Sequence, residues 1–391
     1  MASEQTYPNT SLMGFNSSLS ADGADNSSAQ ELESHAEYWA AAWLNRTTPW
    51  IALLVAVLGN GAVIITVRKM KTFTSLVLFV TYLGVTDTLC IIFNFLYTQL
   101  TRYKVPLGNG GCKALHFLMN FTTPVANWTV VLMTLERFVT VFFPFKISRV
   151  FSLKKSVLAL LITAFVLLIH ASFALWLYIE VIDDGYIYCG EEPSLQDVSR
   201  IITWVDLLLL SLLPCLILIF LNSGIIVKLN KSAKVRREAM NTHLLRGDTA
   251  NSSRPPVSQQ YINLSVMLVT VSVAFVILQL PITIFYLVDR HQARPTEARE
   301  LAIYYLVREV VHTLNEFNHA FNFFFYFLSG RKFRRKCLEV FGCEKCLKRI
   351  GVKGKNTNDS ILSRGQSGLD TQMSKLSSEV SKEDQVHRNI N

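Results

Sequence analysis

The chain has 391 residues, of which 50% are hydrophobic and 17% are charged, and its mean hydropathy is +0.30. This composition is too apolar for an ordinary soluble domain of that length. The formal net charge of +9 comes from basic segments between apolar stretches, so we expect no nucleic-acid partner.

The leading segment, residues 1–48, is polar and rich in Ser, Asn and Ala, which predicts a disordered tail. It lacks the apolar core of a signal peptide, so we expect the first apolar stretch to serve as the insertion signal. The Asn-x-Ser/Thr triplets at Asn9, Asn16, Asn26 and Asn45 predict glycosylation if this tail lies outside the cell.

Seven apolar stretches follow, each long enough to cross a bilayer at a helical rise of about 1.5 Å per residue. They are Trp50–Val67, Ser75–Leu100, Ala114–Phe143, Ser156–Ile179, Ile201–Val227, Ile262–Val288 and Leu301–Leu328. Helices buried in a large soluble protein would be shorter and would carry a polar stripe, which Ser156–Ile179 lacks. We therefore predict an all-α membrane protein in which residues 49–329 form a bundle of seven transmembrane helices.

Basic residues are concentrated in the first, third and fifth connections and after the seventh stretch, and these segments share one side of the membrane. They are Arg68, Lys69, Lys71, Lys146, Arg149, Lys154, Lys155, Lys228, Lys231, Lys234, Arg236 and Arg237, and the basic residues of 331–336. The leading tail is mainly acidic. We therefore expect a multi-pass plasma-membrane protein with its N-terminus outside and its C-terminus in the cytoplasm.

Two of the seven cysteines fall on the expected outer side. Cys112 lies just before the third apolar stretch, and Cys189 lies in the outer loop after the fourth. Disulfides persist in this oxidising environment, and a bridge would hold the loop over the bundle. Cys90 and Cys215 fall at lipid depth, where cysteine is most simply a small apolar side chain.

Charged residues inside the apolar stretches are functional-site hypotheses, because burying them in lipid is costly. Glu136-Arg137-Phe138 lies near the end of the third stretch, and Asp87 is the only ionisable residue in the second. Arg137 can also be an anchor at the membrane interface, and Asp87 a structural carboxyl with satisfied hydrogen bonds.

From residue 49 to residue 345 the chain resembles the rhodopsin-type (class A) G-protein-coupled receptors. The motifs that carry the resemblance occur in the family's order: Gly59-Asn60-x-x-Val63, Leu83 with Asp87, Cys112, Glu136-Arg137-Phe138, Pro144, Pro214, Phe275, Pro281 and Asn322-Phe323-Phe324-Phe325-Tyr326. The usual aromatic residue before Pro281 is Gln279 here, and Phe323 replaces a proline. These departures are similar to those of divergent invertebrate peptide receptors.

The resemblance implies that Arg137 is held by Glu136 at rest and is released to meet a heterotrimeric G protein. It assigns the activation switch to Glu136, Arg137, Phe138, Pro214, Phe275, Gln279, Pro281, Asn322 and Tyr326. It assigns a polar core, which in the family holds a sodium ion, to Asn60, Asp87 and Asn322. A second acid is missing where the sixth helix begins, at Gln259-Gln260-Tyr261, which implies a less firmly held resting state.

Residues 330–346 predict an amphipathic eighth helix on the inner membrane surface, since Phe333, Cys337 and Phe341 are spaced by four. Its cysteines, Cys337, Cys343 and Cys346, are either palmitoylation sites or free thiols. Residues 347–391 predict a disordered cytoplasmic tail. Its serines are either solvated or are sites for receptor kinases and arrestin, namely Ser360, Ser363, Ser367, Ser377, Ser378 and Ser381.

The resemblance also limits the ligand. Met119 stands where a monoamine receptor needs an acid, and Glu316 stands where an opsin needs its retinal-binding lysine. The ligand-binding candidates are Met119, Gln279, His312, Glu316, Asp183 and Asp184. His312 and Glu316 share one helical face.

The outer loop has an acidic field that would attract a basic peptide, formed by Glu180, Asp183, Asp184, Glu191, Glu192 and Asp197. A solvated acidic loop is the alternative. We therefore predict a neuropeptide receptor, with a small-molecule or lipid ligand as the alternative. No catalytic or metal-binding motif is visible, and no internal repeat favours a transporter.

Overall fold

The computed structural model describes residues 26–70, 74–143, 147–183, 186–245, 257–289, 292 and 294–342. The chain separates into two compact units, Met1–Cys337 and Leu338–Asn391. The first contains the helix bundle, and the second is described only at 338–342.

Seven long helices form the bundle, and we number them from first to seventh. Their bounds are Ala36–Arg68, Ser75–Arg102, Gly108–Phe142, Leu153–Ala171, Leu213–Leu245, Val257–Asp289 and Ala298–Ala320. Asn322–Ser329 continues the seventh helix after Phe321, and Arg331–Val340 is the eighth helix. Shorter segments are the α-helices Asn26–Glu33, Ile147–Val150, Ala174–Leu177 and Gln196–Val205, the 3-10 turn Pro193–Leu195 and the π-helix Asp206–Leu212.

By length and composition, six helices of the described chain can cross a membrane. They are Ala36–Arg68, Ser75–Arg102, Gly108–Phe142, Leu153–Leu177, Pro193–Lys234 and Ser265–Asp289. The seventh helix carries more charge but packs between the first and the sixth. The predicted seven-helix bundle is therefore confirmed.

Packing of the bundle follows from the apolar faces of its helices. One central cluster includes Phe79, Met133, Leu218, Leu268 and Tyr326, contributed by the second, third, fifth, sixth and seventh helices. The fourth helix is peripheral and leaves large apolar side chains exposed on its outer face, among them Leu161, Ile162 and Phe165. Apolar side chains that face outward are what a lipid-facing helix requires.

Residues 26–48 differ from the expected disorder, because the structure makes them helical from Asn26 to Glu33 and from Ala36 onward. The first helix therefore begins well before its apolar stretch. Leu32, Tyr38 and Ala41 are buried in a small cluster with Ala302 and Tyr305 of the seventh helix. Apolar side chains spaced this widely in a polar segment do not predict a helix from the sequence. The helix is stable because these side chains pack against the seventh helix.

A hairpin follows the fourth helix and lies at one end of the bundle. Strands β1 (Tyr178–Asp183) and β2 (Tyr186–Glu191) pair antiparallel and form a two-stranded sheet. The predicted bridge between Cys112 and Cys189 is present, with 5.5 Å between the Cα atoms. We call this end of the bundle the disulfide end and the opposite end the eighth-helix end.

Candidate functional site

A buried ion pair lies where the third helix nears the eighth-helix end. Arg137 Nη2 is 3.4 Å from Glu136 Oε2, and the two residues are 6% and 3% exposed. Ser75 of the second helix donates a hydrogen bond to Glu136 Oε1. The structure thus brings together the predicted pair and adds Ser75, a hydroxyl that sequence reasoning did not select because serines at helix starts are common caps.

Two further contacts join the helices that flank this pair. Ser272 of the sixth helix donates to Asn222 Oδ1 of the fifth at 2.8 Å, and both residues are buried. A methyl group placed on Gly224 would lie 2.9 Å from the ring of Phe138. Phe138 therefore packs directly on the fifth helix at a position where only glycine leaves room for the ring.

The polar core lies between the second and seventh helices. Asp87 is 1% exposed, and its Oδ2 accepts from Asn322 Nδ2 at 2.5 Å. Its Oδ1 is 2.7 Å from His319 Nδ1, and His319 is also buried. Asn60 Nδ2 donates to the backbone oxygen of His319 at 3.2 Å. The three predicted residues Asn60, Asp87 and Asn322 therefore meet around a histidine.

Sequence reasoning missed His319. The available signal was an ionisable residue inside an apolar stretch, three residues before Asn322 and therefore on the same helical face. The seventh stretch contains several such residues, so His319 did not stand out from its neighbours.

Another set of polar side chains lies nearer the disulfide end, between the fifth, sixth and seventh helices. Gln279 Nε2 donates to Ser211 Oγ at 3.2 Å, and Ser211 also bonds to Thr283 of the sixth helix. Tyr286 Oη is 3.2 Å from His312 Nε2, which joins the sixth helix to the seventh.

Among the predicted ligand-binding residues, two acceptor atoms have no hydrogen-bond partner in the described part of the chain, Glu316 Oε2 and Gln279 Oε1. Both side chains lie nearer the eighth-helix end than the contact between Tyr286 and His312. Gln279 precedes Tyr286 by seven residues in the sixth helix, and Glu316 follows His312 by four residues in the seventh. The region therefore offers oxygen acceptors to a molecule that brings hydrogen-bond donors.

Of the remaining ligand-binding candidates, Met119 has a described side chain. Met119 is buried in an apolar cluster with Tyr97, Leu115 and the two bridged cysteines, so it supports the disulfide. Asp183 ends strand β1, but its side chain is not among the described ones, and Asp184 lies outside the described residues.

Three acids of the loop are already paired within the protein. Glu180 Oε1 accepts from the backbone nitrogens of Leu107 and Gly108 at 2.6 and 2.8 Å. Glu191 accepts from Ser199, and Asp197 is 3.3 Å from Arg200. These carboxylates keep their charge, but their oxygens hold the loop's own structure together.

The prolines and aromatic residues of the predicted switch lie in the helices expected. Pro214 is buried and lies two residues after the end of the π-helix Asp206–Leu212. Its missing N–H is a physical reason for irregular hydrogen bonding one turn earlier. Pro281 lies within the sixth helix, while Phe275 and Tyr326 belong to the central cluster. Pro144 lies outside the described residues.

One predicted glycosylation site has another role in the structure. Asn45 Nδ2 donates to Glu309 Oε2 at 3.0 Å, and its Oδ1 accepts from Arg102 at 2.7 Å. A glycan on this nitrogen would disrupt a junction of three helices, so the prediction at Asn45 is corrected. Asn26 begins a helix, and Asn9 and Asn16 lie outside the described residues.

One predicted acylation site also differs from the expectation. Cys337 is 4% exposed and packs in the central cluster with Phe333. Burial raises the pKa of the Cys337 thiol, and the nearby hydroxyl of Thr66 acts in the opposite direction. A buried thiol does not face the lipid, so this position is corrected. The other sites, Cys343 and Cys346 and the tail serines, lie outside the described residues.

Comparison with known families agrees with this arrangement. Residues 59–326, more than half of the chain, match the family model described as "7 transmembrane receptor (rhodopsin family)". Members of this family are receptors, not enzymes, that take an extracellular ligand and signal through G proteins. The match begins near the end of the first helix, covers the second to the sixth helices, and includes the polar core and the buried ion pair. The chain therefore belongs to the rhodopsin family of seven-transmembrane receptors.

Proposed function

We propose that this receptor is activated by a basic extracellular peptide and that this peptide is a neuropeptide. The observation that carries the proposal is the carboxylate of Glu316, which has an oxygen without a hydrogen-bond partner among the described residues. A carboxylate withdrawn from water needs a donor or a positive charge nearby. A lysine, arginine or terminal amine of a ligand supplies both.

A second acceptor supports the same ligand chemistry. The amide nitrogen of Gln279 donates to Ser211, whereas its Oε1 has no hydrogen-bond partner among the described residues. The helices that hold both acceptors are fixed to each other by the contact between Tyr286 and His312. A peptide backbone and an amidated C-terminus are rich in N–H donors, whereas a lipid ligand offers few of them.

The proposed orientation places the disulfide end outside the cell and the eighth-helix end in the cytoplasm. The distribution of lysine and arginine supports it, because basic connections favour the cytoplasmic side. Epitope tags at the two termini test it. We expect the N-terminal tag alone to be stained on unpermeabilised cells, and staining of the C-terminal tag would overturn the orientation.

A screen of basic and amidated neuropeptides, read by calcium and cyclic-nucleotide responses, tests the ligand class. We expect Glu316→Gln to lower the potency of an active peptide at least about tenfold, which is the effect of about 1.4 kcal/mol. Glu300→Gln, at an exposed acid in the first turn of the same helix, is the control and should change little. Activation by a neutral lipid or small molecule that tolerates Glu316→Gln would refute the proposal.

G-protein coupling is proposed to depend on Arg137. We expect Arg137→Ala to abolish ligand-evoked signalling while the receptor still reaches the cell surface and binds its peptide. A variant that still signals would place the coupling elsewhere. Substrate uptake or ion current without G protein would support a transporter instead.

Acids of the outer loop are proposed to speed the arrival of a basic peptide. Charge reversal at Asp183, Asp184 and Glu192 should weaken potency, and the effect should shrink as salt is raised. Potency that is independent of salt would remove the idea.

The tail serines are proposed as sites for receptor kinases that recruit arrestin, and their replacement by alanine should reduce arrestin recruitment.

A further inference from the structure

The polar core of this receptor differs from that of its family in the partner of the buried carboxylate. The resemblance implies a sodium ion near Asp87, Asn60 and Asn322. Whether these residues fit the ion can be judged from the hydrogen bonds around Asp87. Both carboxylate oxygens already have partners from the seventh helix.

A carboxylate accepts hydrogen bonds, so Nδ1 of His319 carries the hydrogen that points to Asp87 Oδ1. The amide nitrogen of Asn322 donates to the other oxygen. Sodium is a hard cation that needs lone pairs of oxygen turned toward it. Here two N–H groups, whose hydrogens are partly positive, occupy the approach in place of the ion.

The position of the ring is fixed by its surroundings. Asn60 donates to the backbone oxygen of His319, and Asn60 is fully buried while His319 is 2% exposed. Gly59 lies against the seventh helix as well, since a methyl group there would be 3.2 Å from Phe323 Cβ. The first and seventh helices are thus in close contact beside the core, and this contact fixes the backbone that carries the imidazole.

Two acceptors of this core, Asn60 Oδ1 and His319 Nε2, have no hydrogen-bond partner among the described residues. One amide oxygen and one imidazole nitrogen do not make a sodium site, because sodium and similar ions collect several oxygen ligands. Buried water is sufficient to satisfy both atoms. The donor set around Asp87 therefore does not fit sodium.

We propose that His319 takes the place of the sodium ion in this receptor, so that the polar core is closed by a side chain and does not respond to sodium. The consequence is a resting state whose stability is set by the contact of the second and seventh helices. This inference is independent of the ligand proposed above, because it concerns only the Asp87 site.

The test is thermal unfolding of the purified full-length receptor in detergent, without ligand, in sodium chloride and in choline chloride at equal ionic strength. We expect the wild-type Tm to be the same in both salts within about 1 °C. His319→Ser removes the ring and opens the carboxylate, so its Tm should rise with sodium by about 2 °C or more. His312→Ser, about two turns away on the same helix, is the matched control and should stay insensitive.

A sodium-specific rise in the wild-type Tm overturns the inference, and this measurement stands even if His319→Ser fails to fold. A folded His319→Ser variant that remains insensitive to sodium also overturns it, because the histidine would then not be what excludes the ion. Since no ligand or G protein is used, either failure leaves the proposed receptor function untouched.

Discussion

The hairpin at the disulfide end is attached to the third helix by Glu180 as well as by the disulfide, and this second attachment can be removed by one substitution. The third helix begins after Leu107, which offers no side-chain cap to the free backbone N–H groups. Glu180 accepts from Leu107 and Gly108, while Asn109 Oδ1 accepts from the backbone nitrogen of Glu180 at 2.9 Å. This reciprocal pair is a capping box formed between two elements. We predict that Glu180→Ala destabilises the receptor.

The magnitude follows from the two hydrogen bonds that are lost. Hydrogen bonds to a charged group contribute about 1.5–3 kcal/mol each, whereas a helix cap as a whole contributes about 0.5–2 kcal/mol. Glu180 is partly exposed and water competes for its oxygens, so we expect a loss of about 1–2 kcal/mol. At about 2–4 °C per kcal/mol, Tm should fall by about 2–8 °C. Glu180→Gln keeps an acceptor and loses only its charge near the helix dipole, so its loss should be about 0.3–1 kcal/mol.

Thermal unfolding of the purified receptor measures both variants. Glu192→Ala is the control, since this acid lies in the same loop and accepts only a long hydrogen bond from Ser194, at 3.4 Å. It should leave Tm within about 1 °C of the wild type. Equal losses in Glu180→Ala and Glu192→Ala would refute the cap, because a general effect of loop charge would then explain both.

Three further variants test contacts that the structure adds to the motifs. Gly224→Ala should cost about 1–3 kcal/mol by overpacking against the Phe138 ring, and Phe138→Leu should restore part of the Tm. Ser272→Ala should lower the stability by about 1 kcal/mol, because it leaves the amide of Asn222 without its donor in a buried position. In a background where the two later cysteines are serine, the Cys337 thiol should react with a maleimide much more slowly in the folded receptor than after unfolding; equal rates would contradict its burial.

The motifs of the sequence predicted the helices and the residues of the polar core, because each motif combines a costly residue with a required depth. Asp87 in a lipid-depth helix must find partners inside the bundle, and the structure provides Asn322 for it. The identity of the remaining partner could not be predicted. His319 contacts Asp87 because of the relative position along their axes at which the second and seventh helices pack. A single sequence does not predict that relative position.

The same limit explains why residues 26–48 and the loop acids were misjudged. Leu32 and Tyr38 belong to a polar segment, and they form a helix because Tyr305 lies beside them. Glu180 was counted as part of an acidic field, although its partners are backbone nitrogens that no sequence pattern marks. Composition describes what a segment prefers alone, and both cases depend on a surface that a distant segment supplies.

The seventh helix shows how charge and membrane depth are reconciled in this receptor. Arg308 Nη2 is 3.1 Å from Glu309 Oε1, and both side chains are nearly buried. Glu309 also accepts from Asn45, and His319 is joined to Asp87. Each of these groups is therefore matched within the protein, which makes a charged helix tolerable in the bundle. On this helix, Glu316 has a carboxylate oxygen, Oε2, without a hydrogen-bond partner among the described residues. A buried carboxylate oxygen without a hydrogen bond destabilises the receptor that has no ligand. A ligand that brings a hydrogen-bond donor to this oxygen removes the destabilisation.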